Sequence, residues 1–195
     1  MPNHVTSRIT FEGPQEDIDH LKDLVKTEES EFDFNNIISM PTELRGTTAP
    51  QRQSTTETEA EFKARVDDLL AKYGAESWYD WAIANWGTKW NAYDIEWSGN
   101  QVQFYTAWEF PYPVISRLAE LFPTLTISFL YADEDTGYNT GRGYFEKGEY
   151  IDGETPEGGG RGGYENYFEL HPGSRESYRF NEKTGRYDYI GEDEE

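Results

Sequence analysis

The chain contains no cysteine. Disulfides and thiolate-bound metals are therefore excluded, and stability has to come from a packed core. Apolar residues are also scarce, at 35% of 195 residues, below the share of about 45–50% usual in globular chains. Basic residues are few: 17 Lys and Arg stand against 38 Asp and Glu, a net charge of −21. Such a balance repels nucleic acid and anionic membranes and favours a basic protein as partner. No run approaches membrane-spanning length, and "MPNHVTSRITF" carries no apolar signal region, which predicts a cytoplasmic protein. HExxH, GxSxG and P-loop patterns are missing, and His4, His20 and His171 stand far apart. Carboxylates are so abundant that pairing any two of them singles out nothing. The expectation is a protein that is not an enzyme and has neither cofactor nor metal.

Aromatic residues supply what the aliphatics do not. They make up 16% of the chain, and each ring buries a large area. With this length, the composition predicts a folded domain with polar loops.

The pattern along the chain predicts its elements. "HVTSRITFEG" alternates at strand period, and Gly13-Pro14 then opens a helix with Ile18, Leu21, Leu24 and Val25 on one stripe. "FDFNNIISMP" reads as a second strand, and Thr42 to Thr58 as a long exposed loop. Thr58 to Glu61 is a capping-box pattern, and the helix that follows ends at Gly74. "SWYDWAIANWGTKWNAYD" holds Trp78, Trp81, Trp86 and Trp90. It reads as a Ser77 cap, a short helix and an exit at Gly87. "AYDIEWSGNQVQFYTAW" is a hairpin, "PYPVISRLAELFP" a helix and "TLTISFLYAD" a strand.

The order is strand, helix, strand, helical insertion, strand, strand, helix, strand. With the insertion set aside, this is the split βαββαβ order of an α+β, ferredoxin-like antiparallel sheet. Residues 1–132 form that domain, with the insertion at 58–86. Residues 133–195 form an acidic, Tyr/Gly-rich β extension, packed on the domain or appended to it. It carries 17 acidic and 7 basic residues, a net −10. "TPEGGGRGGYE" reads there as a flexible hinge, and "GRGYFEKGEYID", "GYENYFELHP" and "ESYRFNEKTGRYDYIG" as short strands or hairpin arms. "GEDEE" closes the chain as a frayed acidic tail.

"MPxEL" at Met40 to Leu44, "WYDWAIANWGTKWNAYD", "TAWEFPYPVISRLAELFP" and "LTISFLYADEDTGYNTGRGYFEKGE" follow one another in this order. Together they resemble the Api92-like family, small proteins of phages and plasmids with a ferredoxin-like region. The resemblance covers about three-quarters of the chain. It implies the same fold and a mobile-element origin, and no activity.

Two functional expectations follow. The first is a phage or plasmid accessory protein that inhibits a host defence factor, of the anti-CRISPR type. It would bind a basic or nucleic-acid-binding host protein through an acidic, nucleic-acid-mimicking surface. That surface would comprise Asp133, Glu134, Asp135, Glu146, Glu149, Asp152 and Glu154, with no direct contact to nucleic acid or membrane. The alternative is a binder of a nucleotide signal in a Trp-lined pocket. Trp86, Lys89, Trp90, Asn91 and Arg142 would form that pocket, with Lys89 as polar handle. Against it stands the reading of the same tryptophans as a joint packing the insertion on the sheet.

Overall fold

The structure is a computed structural model that describes residues 3–191. Its elements are β1 (His4–Glu12), α1 (Gln15–Val25), a 3-10 turn (Phe34–Asn36), α2 (Thr42–Arg45), α3 (Glu59–Tyr73), α4 (Trp78–Trp86), β2 (Tyr93–Ser98), β3 (Gln101–Ala107), α5 (Tyr112–Leu121), β4 (Thr126–Asp133), β5 (Thr140–Glu146), β6 (Glu149–Glu154), α6 (Arg161–Leu170), β7 (Tyr178–Asn181) and β8 (Arg186–Tyr189). One antiparallel sheet has the order β2-β3-β1-β4-β5-β6, and β7-β8 is a separate hairpin. The four strands β2-β3-β1-β4, with α1 and α5 between them in sequence, are the ferredoxin-like unit. β5 and β6 continue the same sheet past Asp133.

β1 sits at the centre, paired with β3 on one side and β4 on the other. Strand period sends Val5, Ser7, Ile9 and Phe11 to one face, where all are buried. That face meets Ile18, Leu21 and Val25 of α1 and Val114, Ile115 and Leu118 of α5, all buried in one core. Thr6, Arg8 and Thr10 point to the other face. There α6 covers only part of the sheet, resting on the small apolar cluster of Leu130, Ala132, Leu170 and Tyr167.

Four expectations are corrected. "FDFNNIISMP" forms no strand. Phe32 and Phe34 are buried, but the Asp33 carboxylate accepts the Asn35 amide at 2.8 Å and holds the chain in a 3-10 turn. Asx-type bonding offers the backbone an alternative to a ladder. With this strand removed, the element order fits βαββαβ without remainder. Within the Thr42–Thr58 loop, α2 forms and buries Leu44. "GYENYFELHP" is helix, not strand. Its apolar residues fall at helical spacing, with Phe168 and Tyr164 packing on Tyr178 and Tyr187 of the β7-β8 hairpin. The stretch read as a flexible hinge, "TPEGGGRGGYE", is helix in its second half, since α6 begins at Arg161.

The capping box at Thr58 and Glu61 forms, as does the left-handed exit at Gly74. "GRGYFEKGEYID" is the β5-β6 hairpin and "ESYRFNEKTGRYDYIG" contains β7-β8. Residues 192–195 of the acidic tail lie outside the described residues.

Two substitutions test this packing. Ser7 is fully buried on the core face of β1, and its hydroxyl has no hydrogen-bond partner among the described residues. Removing an unpaired hydroxyl at nearly constant shape favours the fold, so Ser7→Ala is expected to raise unfolding free energy by about 1 kcal/mol in denaturant titration. Gly163 is buried in α6, and a Cβ there would land on the Gly137 carbonyl oxygen. Backbone against backbone cannot be relieved by a rotamer. Gly163→Ala is expected to cost about 1–3 kcal/mol. It should speed amide exchange across α6 and β7-β8 while the central strands stay protected.

Candidate functional site

The tryptophan stretch folds from its ends. The Ser77 hydroxyl accepts the Asp80 amide at the start of α4, and Gly87 leaves the helix at φ 77°. A Cβ at Gly87 would sit 2.9 Å from the Pro113 ring, so the exit also needs the close approach to α5. Trp81 and Trp86 then turn inward and are buried. Trp86 meets Trp81 and Phe34 edge-on at 5.5 and 5.8 Å. Its indole N–H donates to the Ile38 carbonyl at 2.9 Å. Trp86 is therefore part of the core.

Asn91 is likewise structural. Its side-chain oxygen accepts the Phe34 amide at 2.9 Å, and its Nδ2 donates to Asp33 at 2.7 Å. Arg142 projects from the opposite face of the sheet, where it donates to Asn166 and Glu169 at 2.9 Å and lies 3.5 Å from Glu154. The five residues proposed for a tryptophan pocket are thus not brought together. Only Lys89 and Trp90 stay neighbours. Lys89 Nζ lies 4.5 Å from the Trp90 ring centre and 4.8 Å from that of Trp108. Beside it runs a groove of about 470 Å³, lined by Trp78, Tyr79, Asp80, Lys89, Trp108 and the Ala49–Pro50 loop. Helical spacing singled out neither Tyr79 nor Trp108, which is far off in sequence and reaches Lys89 only because β3 ends there.

The acidic set divides in two. Glu146, Glu149, Asp152 and Glu154 are exposed together on the β5-β6 hairpin. Glu134 and Asp135 are exposed at the other end of β4, about 20 Å away by strand rise. Asp133 is buried and is no part of a surface. Its carboxylate accepts from Asn3 at 3.0 Å, the Asp135 amide at 2.9 Å and Asn139 at 3.1 Å, which organises the β4-β5 turn. All six residues of β6 are exposed, and this strand is an edge of the sheet.

Two further clefts lie on the open sheet face beside α6. The larger, about 560 Å³, is lined among others by Arg8, Thr10, Ser128, Tyr144 and Arg142. Glu169 of α6 pairs with both guanidinium groups there. The smaller gathers His4, Thr6, Asp94, Tyr105, Glu134, Tyr167 and His171. His4 Nδ1 lies 2.5 Å from the Tyr93 hydroxyl. Burial, with Asp94 and Glu134 close by, pushes that phenol up to about 12 and keeps it protonated. His171 bonds the buried Thr6 hydroxyl at 3.1 Å and packs on Tyr167 at 4.6 Å. The two histidines are remote in sequence; the strand and the helix end bring them to one cleft.

The family model described as the ferredoxin-like domain in Api92-like protein matches residues 85–172, from the end of α4 to just beyond α6. The resemblance seen in the sequence holds over this segment, which is described as ferredoxin-like; β1 and α1 lie outside it. Among solved structures, the chain is similar to the crystal structure of a protein api92 from Yersinia pseudotuberculosis. The identity is 11% over 80% of this chain and 99% of that one, with a TM-score of 0.48. No curated protein matches the chain. Among the described residues no helix is long and apolar enough to cross a membrane.

Burial holds the His171 imidazole below its usual range, because the charged form is poorly solvated beneath α6. The unfolded chain then binds this proton more readily than the folded one. The contribution of His171 is fully present above the unfolded value of about 6.5 and is lost as pH falls through the lower folded value. Protection of the α6 amides, corrected for the intrinsic pH dependence of exchange, is expected to fall on that descent. His171→Gln should reduce the fall in α6 protection between pH 8 and 5.

Proposed function

We propose that the chain is a non-enzymatic binding protein that inhibits a basic, nucleic-acid-handling host protein through the acidic edge of its sheet. The carrying observation is β6, an edge strand exposed along its whole length that displays Glu149, Asp152 and Glu154 beside Glu146 of β5. An edge strand leaves one row of backbone N–H and C=O groups unpaired. Its carboxylates oppose pairing with a second copy of the same strand, since like charges would face each other. They favour a basic segment for the converse reason. The net charge of −21 adds long-range steering toward a positive partner.

Magnitudes narrow the idea of nucleic-acid mimicry. Three carboxylates over six extended residues amount to one charge per ~7 Å. A DNA duplex carries one charge per ~1.7 Å of axis. The edge alone is too dilute to copy a duplex, so the reading is an acidic docking strand that blocks a basic groove. The anti-CRISPR type of inhibitor, a phage or plasmid origin and action in the host cytoplasm belong to the same proposal. The family description names a fold and no activity, so the reading rests on the surface itself.

The test is binding to purified basic nucleoprotein effectors of host defence at several salt concentrations. Glu149→Ala, Asp152→Ala and Glu154→Ala combined are expected to slow association at least tenfold at low salt. Glu59→Ala, Asp67→Ala and Asp68→Ala combined change the net charge equally on α3 and should have little effect. Equal loss in both triple variants would reduce the effect to net charge and remove β6 as the docking site.

A further inference from the structure

We infer that the groove between the first turn of α4 and Trp108 is a binding site for a flat heteroaromatic molecule bearing one anionic group, of the nucleoside monophosphate class. It stands apart from the β6 edge and does not depend on the reading of that edge. Its volume, about 470 Å³, suits a small molecule. The larger cleft beside α6 is a poorer candidate, because Glu169 already occupies both of its arginines.

The walls are aromatic. Tyr79 meets Trp78 and Trp108 edge-on, at 5.9 and 6.1 Å between ring centres. Trp108 is held in place from both sides. Its amide donates to the Asn3 carbonyl at 2.9 Å, and its carbonyl accepts from Asn139 at 2.8 Å. The backbone there lies at φ 73°, a conformation that bulky side chains seldom adopt. The backbone is fixed in this way, and Tyr79 and Lys89 pack on the indole itself, which makes it a preformed stacking wall.

Lys89 supplies the charge. Its ammonium is drawn between the indoles of Trp90 and Trp108 and takes part in none of the ion pairs among the described residues. An anionic ligand group would be its first charged partner. The helix start adds little, because Thr47 and Ser77 hydroxyls already accept the Trp78 and Asp80 amides. Glu76 and Asp80 also line the groove. They offer acceptors to exocyclic N–H groups of a base and repel additional phosphates. The groove therefore suits one phosphate better than three, and the charge of −21 acts in the same sense.

The test is tryptophan fluorescence of the full chain titrated with AMP, GMP, CMP and UMP, with the four matching nucleosides and triphosphates and inorganic phosphate beside them. A saturable change is expected with at least one monophosphate. The matching nucleoside, phosphate alone and the triphosphate should each bind at least tenfold more weakly. Lys89→Met and Tyr79→Ala should each weaken binding at least tenfold, and Lys89→Arg should restore part of it. Thermal melting of the unliganded variants shows whether they fold. If either is unfolded, Lys89→Arg and the ligand series on the parent protein decide. No saturable response to any monophosphate up to millimolar concentration overturns the inference. So does equal binding of nucleoside and monophosphate, or binding unchanged in Lys89→Met. None of these results bears on the β6 edge.

Discussion

Everything in this molecule hangs on β1, the strand with a neighbour on each side and a different environment on each face. Its period-two alternation sends Val5, Ile9 and Phe11 into the core, and Thr6, Arg8 and Thr10 to the opposite face. A slip of one residue against β3 or β4 would exchange these sets and bury an arginine. The register is therefore fixed strongly, and the polar clefts are fixed with it. Arg8 can meet Glu169, and Thr6 can meet His171, only because the core face has already been decided.

The core resolves the shortage of aliphatic residues with rings. Phe32 stacks on Phe104 at 5.2 Å, and Phe34 stands edge-on between Phe104 and Trp86. Large rings fill volume with few residues, but each polar edge needs a partner. The Ile38 carbonyl answers the indole of Trp86. The segment from Phe34 to Ile38 is thus both a plug for the core and the acceptor frame that admits Trp86. That is why the insertion can be anchored without a strand of its own.

Period and caps were legible in the sequence wherever the neighbours are local. The capping box at Thr58, the Ser77 cap, the Gly87 exit and the hairpin turning at Ser98–Asn100 depend on a few consecutive residues, and they form as the spacing predicts. The βαββαβ succession was legible once the supposed strand at Phe32 and Phe34 is removed, but not that β5 and β6 continue the same sheet. The misreadings share one cause. Two phenylalanines in alternation look like strand at Phe32 and Phe34, and tyrosines among charges look like strand at Tyr164–Phe168. Local bonding at Asp33 turns the first segment, and partners distant in sequence then hold both, Asn91 and Phe104 for the first and the β7-β8 hairpin for the second. The tryptophan pocket failed for the same reason. Proximity in sequence placed Trp86 beside Lys89, whereas the fold turned Trp86 inward and brought Trp108 from another strand end.

The two faces of the sheet also differ in what holds them. The α1-α5 face is secured by a large aromatic and aliphatic core, with a free energy that scales with buried area and changes little with pH or salt. The α6 face rests on a small apolar cluster, on the ion pairs of Glu169 and on the Thr6–His171 bond. Ion pairs that reach solvent contribute little each and weaken in salt. The C-terminal segment is therefore the part whose attachment solution conditions can alter, while the central sheet stays intact. β6 keeps its place through the ladder to β5, and the Lys89 groove through packing on the aromatic core side. Neither surface has to give way when α6 loosens, so the acidic edge and the aromatic groove are set by the more robust half of the molecule.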